Sequence, residues 1–178
     1  NLMLRAALDR GKLPLLTHIQ HGNSLIDDPA VGGKTAVRWA ERLSEVIERG
    51  GFDVVIGNPP YVRQETLGES FKKYVQANYQ TYAGTADLYV YFIERGHQLL
   101  KSDGYFGMIC SNKFMRANYG FPLRRFLVKQ TTLESVVDFG ELPVFQDAAT
   151  FPVIITTRNT SSQIQRFMYA PIKRLDFI

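Results

Sequence analysis

Phe52-Asp53-Val54-Val55-Ile56-Gly57-Asn58-Pro59-Pro60-Tyr61 is the stretch on which the reading of this chain turns. Its first half is a short β-branched run and reads as a buried strand, too apolar for an exposed edge. Its second half is a stiff turn at the carboxyl end of that strand, where open α/β sheets bind ligands. Pro59 and Pro60 fix φ and remove two N–H donors. Pro60 also biases Pro59 toward an extended conformation. The Asn58 side-chain oxygen and the Pro59 carbonyl are then acceptors with no competing donors beside them. Tyr61 adds a flat face on which a ring can stack. Such a turn suits an exocyclic amine on a flat ring. The lone pair of that amine is delocalised, so it is a poor nucleophile. Two acceptors pull it toward tetrahedral geometry, and positioning with electrostatics replaces a strong base. An isolated Asn-Pro pair is also an ordinary turn former; the strand end gives this one its chemical meaning.

Outward from the turn, strands alternate with helices. Upstream, residues 1–10 read as a helix end stopped by Gly11, and Thr17–His21 as a short strand ending at Gly22-Asn23-Ser24. Val37, Ala40, Leu43, Val46 and Ile47 share one face of an amphipathic helix over Ala36–Arg49, which Gly50-Gly51 terminates. Downstream, helices are predicted over Glu69–Tyr79, Asp87–Lys101 and Tyr119–Lys129. Strands are predicted over Tyr105–Cys110, Leu133–Phe139 and Val153–Thr157, with Ile164–Tyr169 pairing back as a hairpin. This order implies a mostly parallel sheet with helices on both faces and an antiparallel edge strand.

The bulk properties set bounds. At 178 residues and 45% apolar, the chain can bury the core of one domain. A formal charge of +4 permits a polyanionic partner. Cys110 stands alone, which excludes an internal disulfide and fits a reducing cytoplasm; its apolar neighbours make it core filler. No secretory leader is visible, and no apolar run reaches the ~18 residues of a membrane span. His18, His21 and His97 lack metal-ligand spacing, so no metal site is expected. The chain opens on Asn1 rather than Met, which suggests a piece of a longer polypeptide.

Further segments extend the pattern. These are Thr85-Ala86-Asp87-Leu88-Tyr89-Val90-Tyr91-Phe92-Ile93-Glu94-Arg95-Gly96, Gly104 to Phe114, Leu123-Arg124-Arg125-Phe126-Leu127, and Val136-Val137-Asp138-Phe139-Gly140-Glu141 followed by Val144-Phe145. Together with Asn58-Pro59-Pro60-Tyr61 they resemble the N6-adenine DNA methyltransferases of type II restriction-modification enzymes, in particular those that fuse methylase and nuclease. The resemblance covers most of residues 15–158. It implies a partial Rossmann-like class I methyltransferase fold over residues 1–169, with 170–178 a linker toward a target-recognition domain. It implies S-adenosylmethionine as methyl donor and double-stranded DNA as partner, with no membrane.

Roles follow residue by residue. Asn58, Pro59, Pro60 and Tyr61 would form the catalytic turn. Phe145 would close on a flipped adenine opposite Tyr61, with Phe151 the weaker candidate. Asn23 would contact the adenine of the donor. Arg63, Lys113 and Arg116 are the candidate DNA contacts. Arg124, Arg125, Lys129, Lys72 and Lys73 fit a solvated face at least as well. The sequence departs from the family at its start. No glycine-rich donor loop is present, and Gly32-Gly33-Lys34-Thr35 is no phosphate loop because Asp28 stands where a glycine is needed. Weak or absent cofactor binding is therefore expected unless another segment of the same polypeptide completes the site. Two alternatives stay open: methylation of a glutamine side-chain amide, which uses the same tetrapeptide, and a non-catalytic DNA-binding module.

Overall fold

A computed structural model describes residues 21–145, 151–162 and 166–175. The helix end expected over 1–10, most of the strand over 17–21 and the start of the hairpin strand at 164 lie outside these residues. Five strands, β1 Phe52–Gly57, β2 Leu100–Ser111, β3 Thr132–Asp138, β4 Pro152–Arg158 and β5 Met168–Pro171, form one sheet in the order β1-β2-β4-β3-β5. β1 pairs parallel with β2, and β5 parallel with β3; β4 runs antiparallel to both β2 and β3. The sheet is thus mostly of one direction, with a single reversed strand.

That strand is not at the edge, where it was expected. The crossover from β2 to β3 leaves one strand's width between them, and β4 fills it. With both edges of β4 taken, the last strand has no hairpin partner there. It adds in parallel to the free side of β3, pairing Ser135 with Met168 and Asp138 with Pro171. Ala170 and Pro171 therefore belong to the sheet.

The helices are α1 Pro29–Gly32, α2 Trp39–Arg42, α3 Ser44–Glu48, α4 Glu69–Asn78, α5 Tyr89–Leu99 and α6 Phe121–Gln130. The single helix expected over 36–49 is split into α2 and α3 at Leu43, whose φ of −136° and ψ of 48° are not helical. Its first residues are extended because Ala36 bridges Asn23 and the Val37 N–H bonds the Ile26 carbonyl at 2.8 Å.

Period-two burial divides the sheet faces. Phe106, Met108, Cys110, Val136, Val153 and Ile155 face the helices and are buried. Helices on both faces were expected; among the described residues α5 covers β1 and β2, and α6 covers β3, on this one face. Tyr105, Val54 and Ile56 stand exposed on the other. β1 is correspondingly an edge of the described sheet, with Ile56 79% exposed while Val55 packs on the core. A β-branched run specifies a strand without saying what lies beside it.

α5 is the centre of the core, buried on nearly all sides. At Gly96 a Cβ would lie 2.4 Å from Phe106 Cε2, so only glycine lets this helix close on the sheet. Glu94, 1% exposed, accepts hydrogen bonds from the backbone N–H of Gln80 at 3.1 Å and of Thr81 at 2.8 Å, and from Gln98 Nε2 at 3.1 Å. These donors offset the desolvation of its carboxylate. His97 lies against Phe106 (ring centroids 4.7 Å apart) and edge-on to Phe126. Its Nε2 pairs with Thr157 Oγ1 at 2.9 Å and its Nδ1 with Asn159 Oδ1 at 3.4 Å, tying α5 to β4 and the turn after it. Burial pulls its pKa down to about 4, so the ring is neutral.

Candidate active site

β1, β2 and β3 point the same way, so the loops after them emerge at one sheet edge. The first loop carries Asn58-Pro59-Pro60-Tyr61, the second Lys113 and Arg116, and the third Phe145. Pro59 is buried, while Asn58, Pro60 and Tyr61 are exposed. The Val62 N–H bonds the Pro60 carbonyl at 2.9 Å, a three-residue turn that closes the tetrapeptide. The Leu88 N–H then holds the Val62 carbonyl at 3.1 Å, and Asp87 Oδ1 accepts from the Gln64 N–H at 3.2 Å. Among the described residues, no hydrogen bond engages the Asn58 carboxamide or the Pro59 carbonyl. Two oxygen acceptors of a stiff turn are thus left without an internal donor.

The Tyr61 and Phe145 rings meet edge to face, centroids 6.0 Å apart and planes at 63°. Two residues far apart in sequence thus share one wall of the site. Desolvation pushes the Tyr61 hydroxyl up to about 12, which keeps it a neutral phenol. Phe151 does not join this pair; its ring lies under the Lys113 ammonium, 6.0 Å from its centroid, and its carbonyl accepts from the Asn112 N–H at 2.7 Å.

Asp138 fixes the root of the segment that bears Phe145. Its Oδ1 accepts from Asn112 Nδ2 at 2.9 Å and from the Gly140 N–H at 3.0 Å, and its Oδ2 from the Tyr169 hydroxyl at 3.2 Å. Desolvation raises its pKa, but these bonds and the nearby Arg116 outweigh it and hold the carboxyl below its ordinary range.

Below the turn lies a cavity of about 290 Å³, lined by Ser24, Trp39, Asn58, Pro59, Phe92 and Arg95 among others. That is the low end for ligand pockets, large enough for one ring system with its substituents. Trp39 is anchored by its Nε1, which donates to the Ser24 carbonyl at 3.2 Å. Arg95 is held by Tyr79 Oη at 3.0 Å and the Leu25 carbonyl at 3.2 Å, over the Tyr79 ring. Asn23 adjoins this cavity without lining it. Its Oδ1 accepts from the Leu25 N–H at 3.1 Å, which orients the carboxamide and leaves both Nδ2 hydrogens for a ligand. Phe92, Arg95 and Asp87 lie in the Thr85–Gly96 run that carries the resemblance but were given no role of their own, and Trp39 was not singled out. The lone tryptophan, one turn into a predicted amphipathic helix, was the available signal.

Arg63, Lys113 and Arg116 are exposed at the same edge. Arg124 is not available there: its Nη1 bonds the carbonyls of Phe114 and Ala117 and braces the loop after β2.

Residues 2–145 match the family described as Eco57I restriction-modification methylase. The chain belongs to that family. Among curated family relatives, the type II methyltransferase M.BstVI of Geobacillus stearothermophilus is 36% identical over 137 residues, covering 75% of this chain and 24% of its own. The chain spans about a quarter of the length of the curated relatives it matches first. Among solved structures, the DrdV–DNA complex matches with a TM-score of 0.67 at 17% identity, over 96% of this chain and 20% of that one. A class I S-adenosylmethionine-dependent methyltransferase fold from Listeria monocytogenes matches with a TM-score of 0.55 at 16% identity, over 71% of this chain and 38% of that one. The fold of this chain is therefore similar to that of class I methyltransferases. Among the described residues, no helix is long and apolar enough to cross a membrane, and no three His, Cys, Asp or Glu side chains converge as metal ligands.

Proposed function

We propose that this chain carries the base-binding part of a DNA adenine-N6 methyl transfer, with S-adenosylmethionine as donor, within a restriction-modification protein. The observation that carries the reading is the pair of unengaged acceptors, Asn58 Oδ1 and the Pro59 carbonyl, beside the Tyr61–Phe145 aromatic pair. An adenine inside a duplex is unreachable, so the target nucleotide rotates out. Its ring lies between Tyr61 and Phe145, which part to admit it. Its amino hydrogens are accepted by Asn58 Oδ1 and the Pro59 carbonyl, which returns the nitrogen lone pair to the nucleophile. Pro59 and Pro60 offer no N–H that could compete for those acceptors. S-adenosylmethionine, when bound, supplies an electrophilic methyl group on sulfur.

The cavity beneath the turn fits one ring and its substituents, with Trp39 and Phe92 as its apolar walls. Asn23 Nδ2 is the donor this chain offers at its margin. The remaining contacts to the methyl donor are assigned to segments of the same polypeptide outside this chain. Arg63, Lys113 and Arg116 pair with phosphates, which sets register without reading sequence. Glutamine-amide methylation uses the same tetrapeptide, but membership of a restriction-modification methylase family favours DNA. In the full-length protein Asn58→Ala lowers the single-turnover methylation rate on its own DNA site by about 10²–10³-fold. An unchanged rate would overturn the reading.

A further inference from the structure

Asp87 sits where three segments meet, and none of its contacts is to the acceptors of the turn. Its Oδ1 takes the Gln64 N–H at 3.2 Å, three residues beyond Tyr61. Its Oδ2 takes the Tyr119 hydroxyl at 3.5 Å. The Tyr119 and Tyr89 hydroxyls are 3.0 Å apart, and the Tyr89 hydroxyl takes the Phe114 N–H at 3.2 Å. The ends of this chain impose one polarity. The Phe114 amide can only donate, and the carboxylate of Asp87 can only accept. Each hydroxyl must therefore accept from the Phe114 side and donate toward Asp87. Desolvation raises the pKa of both phenols, Tyr119 to about 12, so both keep the protons the relay needs. Tyr89 is 2% exposed, which shields its hydrogen bonds from bulk solvent.

We infer that Asp87, with Tyr119 and Tyr89, is a positioning unit: it locks the loop after the Asn58–Tyr61 turn to the Asn112–Tyr119 segment after β2, and so sets where Tyr61 stands. The inference rests on the proposed adenine methylation. The Leu88 N–H bond to the Val62 carbonyl, from the residue next to Asp87, clamps the same loop one step closer to Tyr61. The segment held at the far end carries Lys113 and Arg116. The brace thereby links the proposed phosphate contacts to the base slot without touching the base.

Asp87→Asn removes one acceptor while both donors stay, because a carboxamide offers a single oxygen. Tyr119→Phe removes the middle hydroxyl with little change of shape. The experiment uses the full-length protein on a duplex bearing its own modification site. It measures single-turnover methylation, DNA affinity, thermal melting and the fluorescence of 2-aminopurine at the target position. Both variants should lower the rate about 10- to 100-fold, the scale of a small misplacement of a reacting group. DNA affinity should stay within about threefold. Added to Tyr61→Ala, Asp87→Asn should cost less than about twofold more, since both act on the same ring.

A wild-type rate for Tyr119→Phe and Asp87→Asn overturns the inference. So does a loss that multiplies with that of Tyr61→Ala, or one that only tracks the folded fraction. If Asp87→Asn fails to fold, Tyr119→Phe carries the test by itself. Normal methylation by Asn58→Ala sinks the underlying reading instead; a defective Asn58→Ala with normal brace variants sinks this inference alone.

Discussion

Mild acid should loosen this protein through one side chain, His97. Its ring is 4% exposed, stacked on Phe106, and bonded through both nitrogens to Thr157 and Asn159. Protonation would place a charge among aromatic rings and force a donor against the Thr157 hydroxyl, which must then turn. Burial accordingly lowers its pKa from 6.5 to about 4. Between those values the unfolded chain binds more protons than the folded one, so stability rises with pH and is lost as pH falls. The slope approaches 1.36 kcal/mol per pH unit below pH 6.5, so acidification from pH 6.5 to 5 removes about 1.5 kcal/mol, a sizeable share of a typical domain's stability. The carboxyls whose pKa is lowered, Asp53, Glu65 and Asp138, stay ionised throughout that window and do not contribute. Equilibrium urea unfolding at half-unit pH steps measures the slope. His97→Gln should flatten it whatever its effect on absolute stability. A wild-type free energy that changes by less than about 0.5 kcal/mol between pH 6.5 and 5, or a slope that survives in His97→Gln, refutes the argument.

Two further outcomes follow from the packing. Phe145→Ala and Tyr61→Ala each remove one face of the proposed base slot, and each should weaken 2-aminopurine extrusion in the full-length protein by about 1–3 kcal/mol, whereas Phe151→Ala should leave it unchanged because its ring is away from Tyr61. Gly96→Ala places a methyl group 2.4 Å from the buried Phe106 ring and should destabilise by about 1–3 kcal/mol in chemical denaturation; unchanged stability would mean that α5 and β2 can separate at no cost.

The Asn58–Tyr61 turn could be read from sequence because its features depend on residue type, whereas Phe145 entered only through the family resemblance. Prolines remove donors wherever they stand, and a strand-end turn announces itself locally. The closeness of the Tyr61 and Phe145 rings was available only through resemblance, since no local pattern links the loop after β1 to the loop after β3. The place of β4 between β2 and β3, and the parallel docking of β5, escaped for the same reason: strand order depends on which edges are free. β1 was read as buried because Val54, Val55 and Ile56 are all apolar, but only Val55 faces the helices. Leu43 was assigned to a continuous helix on periodicity, which cannot register the extended hydrogen bonds at Ala36 and Val37. Asp87 was read only as the start of a helix within a family run, because its partners, Gln64 and Tyr119, are brought to it by the fold and not by local sequence.

The account's central claim concerns two oxygens and one nitrogen. A structure of the full-length protein on its own duplex, with an unreactive donor analogue, tests it directly. The account predicts an extruded adenine between Tyr61 and Phe145, its N6 within about 2.7–3.2 Å of both Asn58 Oδ1 and the Pro59 carbonyl. An extruded base held elsewhere, or one whose amino group faces away from those oxygens, would contradict it.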